Sequence, residues 1–264
     1  MELRDFIEFH RPALERDEIR HNLMLGLLAR LLDTEQPDFR LWTLGAPGAC
    51  AIQTTPRHSI ILGELDAAQC HAFADQTHDF DYPGVVGADG VAPLFVERAV
   101  ERSVKFAEPT PELIQALRER PSYPQVSGTA RLVGRDDAAL FAEWLLAFFR
   151  EAVPHEAVPP REHIEMTAAA GDYRFWIVDG EPVAMAGIVR RTRHAAAIAG
   201  VYTPPALRNR GYGGAVTAAV VDAVFAEGRT AACLYTDLQN PASNRCYAKI
   251  GFKPVCRAWH YLRA

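Results

Sequence analysis

The chain reads Arg208-Asn209-Arg210-Gly211-Tyr212-Gly213-Gly214 at one point, between a β-rich run, Ala197 to Thr203, and an uninterrupted helical pattern. That pattern runs from Ala215 to Glu227 and stops at Gly228. A glycine-rich turn at the start of a helix leaves several main-chain N–H groups pointing outward, because no carbonyl of the helix can reach them. The helix dipole adds partial positive charge at the same place. The chemistry this permits is the holding of a phosphate or diphosphate. Other phosphate loops do not fit. Counted from Gly211, the sixth position of Gly-x-Gly-x-x-Gly is Val216, and no Gly-Lys-Ser/Thr triplet follows. Glycines that merely cap a helix for tight packing are the structural alternative.

A second constellation lies downstream. Cys233 to Asp237 reads as a strand, and then comes Asn240-Pro241-Ala242-Ser243-Asn244-Arg245-Cys246-Tyr247-Ala248-Lys249-Ile250-Gly251-Phe252. Pro241 suits a first helical turn and Asn240 can cap it. Gly251 supplies the stop. Taken together, Arg-x-x-Gly-x-Gly at 208–213 and Asn-x-x-Ser-x-x-x-Tyr-x-x-x-Gly-Phe at 240–252 resemble the coenzyme A pyrophosphate loop and the last helix of the GCN5-related N-acetyltransferases (GNAT).

The resemblance implies acetyl-CoA as cosubstrate, with no metal. It implies that the N–H groups of Asn209, Arg210, Gly211, Tyr212, Gly213 and Gly214 hold the diphosphate. Arg208 either adds charge there or packs on the strand. In the family the preceding strand bulges, which would offer the backbone of Val201, Tyr202 and Thr203 to the pantetheine arm and one N–H to the thioester oxygen. Asn240, Ser243 and Asn244 would contact the pantetheine or cap the helix. Tyr247 is the expected proton donor to the departing thiolate, since a phenol is protonated at neutral pH; the other reading is a tyrosine packed beneath the cofactor. The base is less defined, because the strand from His194 to Thr203 carries no glutamate. Asp237 and Glu165 are the carboxylates expected at the site, with Glu162 or a water chain as alternatives; His194 sits at the far end of the strand. The activity implied is transfer of an acetyl group to a primary amine of a small molecule, peptide or protein. A non-catalytic acyl-CoA sensor is the competing class.

Composition agrees with a globular chain. Of 264 residues, 49% are hydrophobic and 23% charged, which excludes wholesale disorder. A net charge of −5 gives no sign of nucleic-acid binding. Five cysteines without a Cys-x-x-Cys pair argue against a disulfide framework and a zinc site. No signal pattern opens the chain and no apolar run is long enough for a membrane span, so the expected location is cytoplasmic. Oligomeric state, monomer or homodimer, stays open.

Two segments are expected to position these groups, 1–124 and 125–264, because proline, serine and glycine concentrate between Pro121 and Gly128. The expected class is α/β with a mixed sheet. The second segment alternates β-α-α-β-β-β-α-β-α-β, an order that resembles the acetyltransferase fold across 128–264. Its first two helices and the 151–165 loop would face the amine. In the first segment, a helix is expected over Glu15–Leu32, then three strands at Phe39–Leu44, Ala49–Gln53 and Ser59–Leu62, then a helix over Asp66–Gln76. A glycine turn and another helix complete it. The arrangement, with the Tyr-Thr-Asp…Asn-Pro-x-Ser-Asn…Tyr run, resembles a group of predicted bacterial acetyltransferases. The first segment is then either a degenerate copy that has lost its cofactor loop or an unrelated α/β accessory domain.

Overall fold

The helix that follows the first motif shows how sequence fixes an element here. Gly211 takes the left-handed conformation (φ +85°) as its N-cap, a position glycine fills without steric cost. The helix, Tyr212–Ala226, is alanine- and valine-rich, and Val216, Ala218, Val220, Val221 and Val224 are fully buried. Burying a valine of this kind stabilises the fold by roughly 1.5–3 kcal/mol. The computed structural model that shows this describes residues 1–33, 38–153 and 158–264.

In chain order the elements are α1 (Leu3–Leu14), α2 (Asn22–Leu32), β1 (Arg40–Thr43), β2 (Cys50–Gln53), β3 (Ile60–Leu62), α3 (Ala67–Gln76), β4 (Gly84–Ala88), α4 (Val91–Glu101) and β5 (Thr110–Leu117). After the linker come β6 (Thr129–Leu132), α5 (Ala138–Ala152), α6 (Arg161–Thr167), β7 (Tyr173–Val178), β8 (Glu181–Arg191) and β9 (Ala195–Tyr202). The chain ends with α7 (Tyr212–Ala226), β10 (Ala231–Asp237), α8 (Pro241–Ile250) and β11 (Lys253–Leu262).

These elements group into two units by contact. The first comprises Met1–Gln115, Tyr235–Pro241 and Pro254–Ala264; the second comprises Ala116–Leu234 and Ala242–Lys253. In the first unit the strand order is β1-β2-β3-β4-β11-β5. Its β1, β2 and β3 pair antiparallel, β3 and β4 pair parallel, and the final strand β11 lies antiparallel to β4. One core, with Phe73, Tyr82 and Phe95, lies under α3 and α4; another, with Phe6, Leu14 and Leu28, lies under α1 and α2.

In the second unit the order is β10-β9-β8-β7-β6, antiparallel except for the parallel pair β9 and β10. One core forms around α7 and α8, with Ile198, Val220 and Phe252. The other forms under α5 and α6, with Phe141, Trp144 and Phe175. Each unit therefore carries a helix pair, three antiparallel strands, a crossover helix, a parallel strand and a further helix. The fold is mixed α/β throughout, and the first unit repeats the element order of the second.

Two differences from the sequence expectation stand out. Glu15–Leu32 is not one helix. A 3-10 turn at Glu15–Asp17 follows α1, Asp17 accepts the N–H of Arg20, and α2 begins only at Asn22. The break lets Phe6, Ile7 and Leu14 of α1 meet Met24, Leu25 and Leu28 of α2. Strand β5 also lacks the alternation that betrays a strand, since Ile114, Gln115, Ala116 and Leu117 are all buried.

Candidate active site

The strand that enters the glycine turn is irregular where it matters. On β9, Ala199 pairs with Gly187 of β8 and Tyr202 pairs with Met185. Three steps on β9 thus face two on β8, which places an extra residue, a bulge, at Gly200–Val201. Gly200 has φ +63°, a backbone state that most side chains resist. Pairing with β10 runs upstream of this, between Ala195–Ala197 and Ala231–Cys233. The bulge interrupts regular pairing at Gly200–Val201, between the Ala199 and Tyr202 pairs and just before the glycine turn.

Pro204 and the short 3-10 turn Pro205–Leu207 then lead to Asn209, itself left-handed at φ +63°, and to Gly211. The amides of Tyr212, Gly213 and Gly214 form the first turn of α7 and have no acceptor within the helix. A Cβ at Gly213 would lie 3.3 Å from Thr203 Oγ1, so it would project into the space between the turn and the end of β9. Gly211 and Gly214 have a different reason to be glycine. Cβ atoms there would come 2.9 Å from Val126 Cγ1 and 3.0 Å from Pro124 Cγ. The linker thus lies against the back of the turn. It is tied down by Tyr123, whose hydroxyl donates to Asp222 at 2.5 Å, and by Ser122, whose N–H donates to the carbonyl of Ile250 at 2.8 Å.

Arg208 is directed to the strand and to α5. Its Nε donates to the carbonyl of Thr203 at 2.9 Å, its Nη2 meets Glu151 at 2.5 Å, and its guanidinium lies over the Tyr202 ring. Arg210 is exposed. At the other motif, the N–H of Gln239 donates to Asp237 Oδ1 at 2.7 Å and that of Asn240 to the Asp237 carbonyl at 3.0 Å. These bonds make the turn that starts α8. At the far end, Gly251 and Phe252 both donate to the carbonyl of Tyr247, and Leu117 packs on Gly251. Tyr247 is 8% exposed, with its ring against Phe252.

Residues 138–252 match the acetyltransferase (GNAT) family. They form a GNAT domain. Solved structures extend the likeness of fold across the whole chain. A GCN5-related N-acetyltransferase from Kribbella flavida aligns at TM-score 0.61 and 19% identity, over 93% of this chain and 94% of its own. A Drosophila protein aligns at TM-score 0.71 and 15% identity, over 99% and 97%. A tandem GNAT protein from the clavulanic acid biosynthesis pathway aligns at TM-score 0.53 and 12% identity, over 91% and 87%. No curated protein matches the chain by sequence.

Within the GNAT domain, burial pushes the Tyr247 phenol above its ordinary pKa, with Cys246 adding to the shift, so it stays protonated well past neutral pH. Ser243 and Asn244 are half-buried on the same helix. The expected carboxylates are already engaged. Glu165 meets Arg161 at 2.8 Å on the surface of α6, and Asp237 holds the turn described above. Glu162 and His194 are exposed. Of the 151–165 loop, residues 154–157 lie outside the described residues. Among the described residues no group of three or more His, Cys, Asp or Glu side chains could hold a metal ion, and no helix is long and apolar enough to cross a membrane. Sequence reading passed over three features that shape this turn: Gly200, Glu151 and the Tyr123–Val126 strap. The glycine before Val201 was the one local signal among them.

The first unit shows what the same place looks like without the glycine turn. After β3 the chain reads Gly63-Glu64-Leu65-Asp66, and α3 caps itself. Asp66 Oδ1 accepts from the Gln69 N–H, while Gln69 Oε1 accepts from the Asp66 N–H. The N–H groups of Gly63 and Glu64 go to the carbonyls of Cys50 and Gly48. Glu64 and Asp66 instead line a cavity of about 450 Å³ with Arg20 and Gln69. Donors already used and two carboxylates make this a poor seat for a diphosphate.

Proposed function

We propose that the protein transfers the acetyl group of acetyl-CoA to a primary amine of a small molecule, peptide or protein. The observation that carries this is the succession, within the GNAT domain, of a bulge at Gly200–Val201 and a turn of unpaired amides at Tyr212–Gly214. When bound, acetyl-CoA supplies an activated thioester. The amides of 209–214 hold its diphosphate, and Gly213 leaves room for phosphate to reach the backbone. The main chain of Val201, Tyr202 and Thr203 pairs with the pantetheine arm. One N–H there faces the thioester oxygen, a contribution of roughly 3–4 kcal/mol where such donors have been removed elsewhere. Arg208 braces the turn from behind through Glu151 and Thr203. Tyr247, kept neutral by burial, donates a proton to the thiolate. Asn240, Ser243 and Asn244 line or cap the helix that carries it.

The absence of a carboxylate on β9, together with the engagement of Glu165 and Asp237, favours a second reading, an acyl-CoA sensor that binds without turnover. Isothermal calorimetry with acetyl-CoA and CoA tests the cleft; no uptake of either would end both readings. Slow CoA release with a panel of primary amines then separates enzyme from sensor. In that assay Tyr247→Phe lowers turnover about 10²-fold with little change in acetyl-CoA affinity. Equal turnover where chemistry limits the rate would remove Tyr247 from the mechanism.

A further inference from the structure

The ring of Tyr173, the first residue of β7, lies flat across the two neighbouring strands. A Cβ built at Gly187 of β8 would fall 2.5 Å from Tyr173 Cδ1, and one at Gly200 of β9 would fall 2.8 Å from Cε1 and 3.1 Å from Oη. A side chain at either strand glycine would therefore meet the ring of this one tyrosine. Each glycine costs roughly 0.5–1 kcal/mol relative to alanine. The left-handed backbone of Gly200 calls for glycine in any case, whereas Gly187, without such a backbone, answers to the ring alone. What the arrangement achieves is to carry a phenol oxygen to Gly200, one residue before the backbone of Val201–Thr203. Phe141 meets the ring edge-on at 4.7 Å, and Leu145 Cδ1 lies 3.4 Å from the same Gly200 position, so α5 fixes the ring from above. Among the described residues no side chain or carbonyl hydrogen-bonds the hydroxyl, and Tyr173 is only half-buried.

We propose that the Tyr173 hydroxyl is the amine-side contact of this active site, accepting an N–H from the incoming amine and turning its lone pair toward the acyl carbon. The proposal rests on the acetyl-transfer reading given above. As the new C–N bond forms, the C–S bond breaks and its electron pair leaves on sulfur, which takes a proton from Tyr247; the amine nitrogen gives up its own proton to water, and water returns a proton to Tyr247. Tyr173 keeps its proton throughout, since burial, and secondarily the charge of Asp172, raise its pKa. It orients the nucleophile and is not the base.

The test uses an amine from the panel above that supports release of CoA by the wild type. The protein is labelled with 3-fluorotyrosine, and the fluorine resonance that disappears in Tyr173→Phe is followed on adding CoA and then acetyl-CoA. The expected result is a resonance that differs between the two complexes, together with an approximately 30-fold slower amine-dependent release of CoA by Tyr173→Phe. The melting temperature and the calorimetric affinity for acetyl-CoA stay as in the wild type, because the ring remains over Gly187 and Gly200. If acetyl-CoA binds and the Tyr173 resonance is the same in both complexes, the proposal is overturned. It is equally overturned if the resonance moves but CoA release by Tyr173→Phe stays within twofold of wild type. Wild-type protein that takes up neither CoA nor acetyl-CoA fails at the earlier step, the cleft itself.

Discussion

At the scale of single residues, the three glycines of the turn do separate jobs, and substitution can tell them apart. Gly211 is held at φ +85° against Val126, where a side chain costs roughly 1–2 kcal/mol from the left-handed backbone alone. Gly214 is pressed by Pro124 and Cys246. Gly213 has an ordinary helical backbone and only Thr203 Oγ1 close by. Gly213→Ala is therefore expected to leave the melting temperature unchanged or slightly raised, since alanine favours a helix by roughly 1 kcal/mol over glycine. Its acetyl-CoA affinity should fall at least tenfold, because the new methyl group stands where phosphate must approach. Calorimetry beside thermal melting checks this, and undiminished affinity would place the diphosphate elsewhere.

At the scale of elements, the segment that composition marks as a linker is also a wall of the candidate site. Pro124 and Val126 back the glycine turn, while Tyr123 anchors them to Asp222 of α7. A hydrogen bond to an exposed carboxylate is worth on the order of 1 kcal/mol or less. Tyr123→Phe should accordingly weaken acetyl-CoA binding roughly two- to tenfold by loosening the turn. It should also speed amide exchange at 211–214 while leaving exchange in β7 and β8 as it was. Exchange at 211–214 identical to wild type would show that the strap does not stiffen the loop.

At the scale of the whole molecule, acid sensitivity should originate in the first unit. His10 is fully buried, its Nδ1 accepting the N–H of Gly48 and its Nε2 facing Thr43 Oγ1, so the ring is neutral with the proton on Nε2. Burial lowers its pKa below the ordinary histidine value; His21, buried beside Glu64, is also lowered, burial outweighing the carboxylate. A folded pKa below the unfolded one means that the unfolded chain binds the proton first as pH falls. The stability these residues contribute is thus present above the ordinary histidine value, about pH 6.5, and is lost as pH falls below it. The melting temperature should fall below that pH, and His10→Asn, which can still accept from Gly48, should flatten the slope. A slope unchanged in His10→Asn would assign the acid sensitivity to other groups.

The sequence by itself determined what depends on neighbours along the chain. The turn at Gly211, the Asn240–Pro241 start and Gly251 stop of α8, and the apolar helix between them are all decided within a few residues, where backbone conformation and capping act. The same local chemistry marked the linker. The tertiary structure alone decided what depends on pairing between distant segments. Strand register put the bulge at Gly200 and laid Tyr173 over it; packing brought the linker behind the turn and Glu151 to Arg208; and strand β11, from Pro254 onward, joined the first unit's sheet beside β4. Such contacts carry no periodic or motif signal, because each partner looks like an ordinary residue until the sheet forms and brings the two together.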